Sequence, residues 1–501
     1  MVAVWVSIGV VAAAAVAYWL PIMLIVQATP DDAYFYLKTA HNLALGHGST
    51  FDGVNPTNGY HPLWFLLVAG VFRVAHAFGG VTSEALLRLV FLVALALSFA
   101  TGYVVAAVLR TLEPATPRAM ATVACGLATI LLALDGHVGT ESHLVMLLTA
   151  LYLWARITDV TQMRDRVFLR AVLLGLLALS RIDFLFTVVP VIAAFEIATI
   201  GASKKKRATL IIGSTVGTIA VVYFALNDLL FGHPLPVSMV VKSTFPRPVL
   251  MPSLAIYWNE LYSGEWYVAA VVSAVRIAIP LIVTAWFAWH IWRRRTRLRE
   301  LDQVLLACGT AAVSFVLGHA LFDRFFISPW YMGFPSVVAV VMIGSVLTTR
   351  RQWATAAGLG TVATATYALA FSYFVGPPWA YAYAKEMSRV TNATDTIYQY
   401  DMSGLVGFFS ERRVINGDGL INSLELVRYL RAGKPLTEYL QAHAIGYYSS
   451  ELMGDVNADY PNLPPVYVDG SLPEDVAGDF TCRPSQIVLK VHDWMLCRIQ
   501  P

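Results

Sequence analysis

Charged residues are scarce in this 501-residue sequence. Asp, Glu, Lys and Arg together make up 13% of the chain, whereas 57% of the residues are hydrophobic. Soluble proteins carry about 25% charged residues, so the composition indicates a polytopic membrane protein. The net charge is only +3, and a charge this small gives no reason to expect a nucleic-acid partner.

The sequence also lacks the pattern of a cleavable signal peptide. The apolar run Val2–Val26 has no Lys or Arg before it and no small-residue cleavage site after it. We therefore interpret this run as a retained first transmembrane helix. Internal repeats and low-complexity tracts are absent as well, whereas transporters tend to show repeated halves.

Ten more apolar runs follow, so we expect about eleven transmembrane helices. The runs cover 85–109, 119–134, 143–157, 168–180, 183–200, 208–226, 266–292, 301–321, 331–347 and 353–375. With a cytoplasmic N-terminus, the basic clusters Lys204–Arg207, Arg293–Arg299 and Arg350–Arg351 all face the cytoplasm, as the positive-inside rule requires. This topology holds only if His61–Phe78 does not cross, so we predict a surface or re-entrant helix there, within a first external loop of 27–84.

The composition changes after Val375. Residues 376–501 are polar and lack an apolar span, and the topology places them outside the cytoplasm. Strands and helices alternate in this region, which predicts a small α/β domain after a transmembrane domain of 1–375. The predicted helices are MSGLVGFFS and INSLELVRYLRAG, and the predicted strands are DTIYQY, RRVIN, AIGYYSS, VYVD and QIVLKVHDWMLCRI.

Cysteine is also rare, with four residues in the chain. Cys125 and Cys308 lie within predicted spans, where we expect inert thiols. Cys482 and Cys497 lie in the predicted external domain, where an oxidising compartment would favour a disulfide between them. Two free thiols are the alternative.

Two adjacent carboxylates open the first external loop. Asp31 and Asp32 follow Pro30 and precede a helical pattern, so they lie at a helix N-terminus close to the membrane surface. There they could simply cap the helix. The helix dipole also favours an ionised carboxylate, which is what a general base or a metal ligand requires.

Several motifs, in this order, resemble the GT-C superfamily of membrane glycosyltransferases. They are an Asp-Asp pair after the first helix, NPTNGYHPLW, DGHVGTESHL, LSRIDFLF, FGHPLPVSMVVKS and YDMSGLVGFFSERRVINGDGLINS. Each motif is short, and only the ensemble is specific. The superfamily includes protein mannosyltransferases, the aminoarabinose transferase of lipid A and cell-wall arabinofuranosyltransferases.

The resemblance implies transfer of a glycosyl group from a polyprenyl-phosphate-linked monosaccharide to an acceptor hydroxyl on a glycan, lipid or protein. It implies inversion, which needs one carboxylate as base, whereas retention would need a second carboxylate as nucleophile. The sugar is not identified, and mannosyl and arabinofuranosyl donors are both compatible. The resemblance also implies a bacterial inner-membrane protein with its active site on the extracytoplasmic face.

Roles for individual residues follow from this resemblance together with the chemistry and position of each side chain. Asp31 is the implied base, with Asp32 as the alternative. The residues implied to bind the donor phosphate are Lys242, Arg324 and Arg181. The residues implied to bind sugar or acceptor are Glu141, His137, His143, Tyr60, His61, Trp330 and Tyr331.

Each role has a structural alternative. Arg181 could instead pair with Asp183 and close a turn, Lys242 could reach toward lipid headgroups, and the aromatic residues could form a membrane belt. Some members of the superfamily need a metal and others do not. A divalent ion (Mg, Mn or Ca) could be held by a set drawn from Asp31, Asp32, Glu141 and His143.

Other functions remain open at the sequence level. A lipid-linked-sugar flippase would use the same lipid, a binding scaffold would use only the external domain, and an oligosaccharide ligase or polymerase would share the fold. A binding scaffold would give no common function to the Asp pair, Glu141 and Lys242. We therefore favour the glycosyltransferase.

Overall fold

The structure is a computed structural model that describes most of the chain. The described residues are 19–112, 138–162, 165–199, 202–248, 267–294, 300–323, 327–347, 349, 351–352, 355, 379–399, 402–432, 434–451, 484–492 and 494–499.

Before residue 347 the described chain is helical. The helices are α1 (Ile22–Gln27), α2 (Asp31–Ala44), α3 (Pro62–Ala77), α4 (Ser83–Leu112), α5 (Ser142–Gln162), α6 (Val167–Ser180), α7 (Val188–Thr199), α8 (Ala202–Phe231), α9 (Val237–Lys242), α10 (Tyr267–Arg293), α11 (Glu300–Phe322) and α12 (Gly333–Val346). Single 3₁₀ turns, Ile182–Leu185 and Pro329–Met332, lead into α7 and α12.

Six of these segments are long and apolar enough to cross a membrane, counted over the described residues only. They are Ser83–Leu112, Ser142–Gln162, Ile182–Thr199, Lys205–Phe231, Glu300–Phe322 and Pro329–Val346. Val167–Ser180 and Ile277–Arg293 are shorter apolar helices at two more of the expected positions. The predicted polytopic helical membrane protein is confirmed, while the spans at 119–134 and 353–375 and most of the first one lie outside the described residues.

The first loop contains two helices that pack on each other. α2 and α3 make the loop's main contact, and α3 also touches α6. The 16-residue α3 corresponds to His61–Phe78, the segment that the predicted topology requires not to cross the membrane. The His41 ring on α2 stacks on the His76 ring on α3, with centroids 5.0 Å apart and planes 4° apart.

This stacked pair makes stability sensitive to acid. Burial, with help from nearby Lys38, lowers the pKa of His41 from 6.5 to about 4. Between those values the unfolded chain binds a proton that the folded chain does not, so stability is complete above about pH 6.5 and is lost as pH falls toward 4. We expect the melting temperature of the solubilised protein to fall across this window, and His41→Gln to flatten the slope. An unchanged slope in His41→Gln would show that other groups cause the fall.

At the end of the bundle opposite the first loop, a buried ionic cluster joins α5, α6 and α7. Glu196 accepts a hydrogen bond from the Tyr152 hydroxyl at 2.8 Å. Its Oε1 also lies 3.3 Å from Arg156 Nε and 3.1 Å from Arg170 Nε. All four side chains are almost fully buried, and pairing is what makes such burial of charge tolerable.

The C-terminal part forms an α/β domain around a five-stranded sheet, as predicted. Its elements are α13 (Trp379–Val390), β1 (Thr396–Gln399), α14 (Ser403–Ser410), β2 (Arg413–Asn416), α15 (Leu424–Arg431), α16 (Leu436–Ala442), β3 (Tyr447–Glu451), β4 (Ile487–Val491) and β5 (Trp494–Arg498). The strand order is β2-β1-β3-β5-β4, with β2, β1 and β3 parallel and the last two pairs antiparallel. The predicted domain boundary at 375/376 and the strand VYVD lie outside the described residues.

One strand prediction was wrong. QIVLKVHDWMLCRI forms a hairpin of β4 and β5 instead of one strand, because the backbone reverses at His492, whose φ is 52°. A positive φ at a non-glycine residue is typical of a tight turn. Neither α13 nor the short α16, which follows Pro435, was predicted from the sequence.

The sheet domain docks directly on the first loop. Thr57 Oγ1 donates to the Asn422 carbonyl at 3.1 Å. A Cβ on Gly59 would lie 2.1 Å from the Leu420 carbonyl oxygen, so only glycine allows this approach. Glu84, at the start of α4, accepts hydrogen bonds from Tyr381 and Lys385 of α13 at 3.0 and 2.8 Å.

Candidate functional site

The two adjacent aspartates have different partners. Both lie in the first turn of α2, after the extended Pro30. Asp31 accepts hydrogen bonds from the backbone amides of Leu405 at 2.7 Å and Gly404 at 3.2 Å, in the C-terminal domain. Asp32 instead has its Oδ2 3.5 Å from Lys242 Nζ, and its side chain is 29% exposed. The structure therefore gives Asp31 a capping contact and leaves Asp32 facing a cation.

Lys242 is held in place from two sides. It is the last residue of α9, whose first amide, that of Val237, donates to Asn58 Oδ1 of the first loop at 3.0 Å. Just after Lys242, the Thr244 amide donates to the Phe322 carbonyl at 2.8 Å. Burial lowers the pKa of Lys242, but Tyr331, Asp32 and Asp323 outweigh it and raise the pKa above its ordinary value. The ammonium is therefore charged at neutral pH.

Tyr331 connects Lys242 to a buried arginine. It lies in the 3₁₀ turn Pro329–Met332, is 5% exposed and is near enough to Lys242 to raise the pKa of that lysine. The Arg181 guanidinium carbon lies 4.1 Å from the centre of the Tyr331 ring. Such a cation–π contact is stronger in a dry environment than at an exposed surface. Trp330 is its half-buried neighbour, with ring centroids 6.3 Å apart.

Arg181 is bound by two carboxylates. Its Nη1 donates to Glu141 at 2.7 Å, its Nη2 to Asp183 at 2.7 Å, and its Nε to Asp183 at 3.2 Å. The residue is 2% exposed. Every guanidinium nitrogen is bonded within the protein, and the donor-phosphate role of Arg181 stays a prediction. The ion pair with Asp183 is the alternative that the structure supports.

Glu141 closes a ring of contacts back to α2. Its second oxygen, Oε2, accepts from the Tyr36 hydroxyl at 2.9 Å. Burial, together with the Glu141 charge, raises the pKa of Tyr36 well above its ordinary value, so this phenol stays protonated. We call the following residues the polar ring: Asp32, Lys242, Tyr331, Arg181, Glu141 and Tyr36.

His61 lies beside the polar ring as a neutral imidazole. Its Nδ1 accepts from the Ile182 amide at 3.2 Å, so the proton is on Nε2, which lies 3.9 Å from Glu141. Burial lowers the pKa of His61, which keeps it neutral. On the other side of Glu141, the indole of Trp64 donates to the Gly139 carbonyl at 2.7 Å and fixes that loop.

His319 is a site residue that the sequence analysis missed. Its Nε2 lies 2.9 Å from Asp183 and its Nδ1 lies 3.0 Å from Asp323. An imidazole between two carboxylates can donate to both only when it carries both protons. The available signal was a histidine inside an apolar run, because an ionisable residue at that depth is a functional candidate by default.

Two predicted sugar- or acceptor-binding residues lie elsewhere. His143 lies in the first turn of α5, whereas Glu141 precedes that helix. Its Nδ1 lies 2.9 Å from Ser98 Oγ on α4. Tyr60 stacks on Phe65 at 3.8 Å and its hydroxyl lies 2.5 Å from Ser49 Oγ, which makes it part of the first loop's own packing. The roles of His143 and Tyr60 in sugar or acceptor binding stay predictions.

Other predicted residues lie outside the described parts of the chain. They are His137, Arg324 and Cys482. Cys497 is disulfide-bonded, and its pairing with Cys482 stays a prediction.

The predicted metal site does not form among the residues that the structure describes. No group of three or more His, Cys, Asp or Glu side chains there could hold a metal ion. The physical reason is that Glu141 is bonded to Arg181 and Tyr36, Asp31 to backbone amides, and Asp32 faces a lysine. These residues therefore do not fit a bound Mg, Mn or Ca, and no step below uses one.

No family model and no curated protein matches this sequence. Solved structures do match. ArnT from Cupriavidus metallidurans bound to undecaprenyl phosphate has a TM-score of 0.57 at 10% identity, over 99% of this chain and 98% of that one. Its apo state gives 0.56 at 12% identity over the same shares.

A third solved structure is the oligosaccharyltransferase AglB from Archaeoglobus fulgidus, in complex with an inhibitory peptide and a dolichol-phosphate. It has a TM-score of 0.52 at 13% identity, over 89% of this chain and 69% of that one. Both proteins belong to the GT-C superfamily. The resemblance seen in the motifs is thus confirmed at the level of the fold, and this chain is an integral membrane protein with the GT-C fold.

Proposed function

We propose that the protein transfers a glycosyl group from a polyprenyl-phosphate-linked monosaccharide to an acceptor hydroxyl, with Asp32 as the base. The observation that carries this proposal is the Asp32–Lys242 pair, a carboxylate and a cation at the partly exposed edge of an otherwise buried polar network. A base and a phosphate-binding cation are the two groups that this reaction needs. The fold supports it, because ArnT binds undecaprenyl phosphate and AglB binds dolichol-phosphate.

The proposed step is a single displacement. The acceptor oxygen bonds to the anomeric carbon as the bond from that carbon to the phosphate oxygen breaks, and the acceptor proton goes to Asp32. Lys242 stabilises the charge on the departing polyprenyl phosphate. The donor phosphate binds the Lys242 ammonium in place of Asp32. The Asp32 carboxylate is then available to take the proton of the acceptor hydroxyl. Inversion follows from the use of one carboxylate.

The rest of the polar ring holds these two residues in place. Arg181, Glu141 and Tyr36 are buried and connect the Tyr331 side of the site to α2, which carries Asp32. The positive-inside pattern supports a cytoplasmic N-terminus and a site on the extracytoplasmic face. We propose a bacterial inner membrane as its location. The acceptor is a glycan, a lipid or a protein, and the donor sugar is a hexose or a pentose.

The test is release of polyprenyl phosphate from a panel of donors. Purified protein in nanodiscs is given polyprenyl-phosphate mannose, arabinofuranose and other monosaccharides with an acceptor mixture, and mass spectrometry follows the free lipid phosphate. Release from one donor, with a glycosylated product, supports the proposal and gives the sugar. No release from any donor overturns it, and donor translocation in sealed vesicles would then support a flippase. Product length separates single-sugar transfer from polymerisation.

Replacing Lys242 should weaken donor binding. A hydrogen bond to a charged group contributes about 1.5–3 kcal/mol, so we expect Lys242→Gln to raise the dissociation constant for polyprenyl phosphate about 10- to 100-fold. Titration of the lipid in nanodiscs measures this change. Lys490→Ala, at an exposed lysine on β4, is the matched control and should bind as the wild type does. Wild-type affinity in Lys242→Gln would contradict the phosphate role.

A further inference from the structure

We propose that helix α14 of the C-terminal domain is a positioning element of the active site, and that Gly404 is the residue that makes its contact possible. The inference rests on the proposed function, because it concerns the placement of Asp32. It gives Asp31 a positioning role and makes the sheet domain part of the catalytic unit.

The contact uses both oxygens of the Asp31 carboxylate. Oδ1 accepts from the Leu405 amide at 2.7 Å and Oδ2 accepts from the Gly404 amide at 3.2 Å. These amides belong to the first turn of α14, where backbone N–H groups lack partners within the helix. The partial positive charge of a helix N-terminus strengthens such a bond to an ionised carboxylate. One α14 turn therefore fixes the orientation of the Asp31 side chain.

Gly404 lets the two helices approach this closely. A Cβ at this position would lie 2.4 Å from the Asp31 backbone oxygen, 3.0 Å from Asp31 Oδ1 and 3.0 Å from the Phe35 ring. The nearest of these atoms belongs to the backbone, so it cannot move unless α2 moves with it. Any side chain at 404 must separate α14 from the first turn of α2.

Other contacts hold the rest of α14 in place. The separation must therefore displace the first turn of α2. All eight residues of α14 are buried. The Tyr34 ring contacts the rings of Phe408 and Phe409, with centroids 5.7 and 5.5 Å apart. Ser83 Oγ donates to the Phe408 carbonyl at 3.3 Å near the other end of the helix.

Asp32 follows Asp31 directly in the chain, so a shift of Asp31 moves Asp32 relative to Lys242. Misplacement of a reacting group by about 1 Å can lower a rate about 100-fold. Lys242 is held by Asn58 through α9 and by Phe322 through Thr244, and neither contact involves α14. Disturbing α14 should therefore lower kcat while leaving the KM for the donor unchanged.

The experiment compares two glycine substitutions on the same helix. We expect Gly404→Ala to lower kcat about 10- to 100-fold, with the donor KM within about twofold of the wild type. Gly407→Ala is the matched control, because its Cβ would meet the Phe51 ring at 3.2 Å and the Val414 Cβ at 3.4 Å, milder contacts than those at Gly404. It should keep kcat within about threefold. Wild-type kcat in Gly404→Ala, or equal losses in both variants, would overturn the inference.

A second measurement does not depend on turnover. Hydrogen–deuterium exchange of the peptide that contains Gly404 and Leu405 should be faster in Asp31→Ala than in the wild type, because the two amides lose their acceptor. Unchanged exchange would overturn the inference. If the wild type releases no lipid phosphate from any donor, the proposed function fails, while the exchange comparison still decides whether Asp31 holds α14.

Discussion

Asp32→Asn should reduce glycosyl transfer about 100- to 10,000-fold, the range expected when a general base is lost. An amide has nearly the shape of the carboxylate but cannot take the acceptor proton. Donor binding should survive, because Lys242 remains and loses only a partly exposed partner. Single-turnover release of polyprenyl phosphate at saturating donor measures the loss.

Asp31→Asn is the control that separates the two aspartates. It keeps one acceptor oxygen for two amide donors, so we expect a smaller loss, about 10-fold, from misplacement alone. The motif resemblance implies the opposite order, with Asp31 as the base. A larger loss in Asp31→Asn than in Asp32→Asn would support that assignment and refute ours.

Arg181→Ala should destabilise the protein by about 3–5 kcal/mol, the cost of removing one partner from a buried ion pair. Glu141 and Asp183 would be left without the guanidinium that neutralises them. Thermal unfolding of the purified protein measures this effect, and poor yield from the membrane would agree with it. Arg181→Lys keeps the charge but cannot reach both carboxylates as a planar fork does, so we expect an intermediate loss.

Arg73→Ala, on α3 of the first loop, is the comparison at an exposed arginine. Arg73 is exposed and donates to the Ala44 carbonyl at 2.8 Å, so its removal should cost only about 0.5–1.5 kcal/mol. If Arg181→Ala unfolds like the wild type but loses affinity for polyprenyl phosphate, the predicted phosphate-binding role is supported and the buried interpretation fails.

The sequence predicted the fold class because hydrophobic runs and motif order report it directly. The spans near α4, α5, α8 and α11 follow from apolar length alone, and the α/β domain follows from alternating strands and helices. The hairpin of β4 and β5 was missed, although His492 and Asp493 interrupt the run of strand-forming residues and Asp is common in turns.

The site was predicted in part, for a physical reason. Glu141, Lys242 and Tyr331 were singled out, and the structure brings them into one ring of contacts. The burial of Arg181 depends on carboxylates from two segments, and the partners of Asp31 lie more than 370 residues away in the sequence. Local patterns carry no information about contacts at that separation.

That separation also bears on how the molecule is made. Asp31 is synthesised early, whereas Gly404 and Leu405 are synthesised 373 and 374 residues later. At about 5–20 residues per second of synthesis, the interval is on the order of 20–75 s. During this interval the Asp31 carboxylate lacks the two α14 amides that bind it in the folded protein. The contact between Asp31 and α14 therefore forms only after the helices between them have been synthesised. Under the proposed function, Asp32 would lack this positioning contact until then.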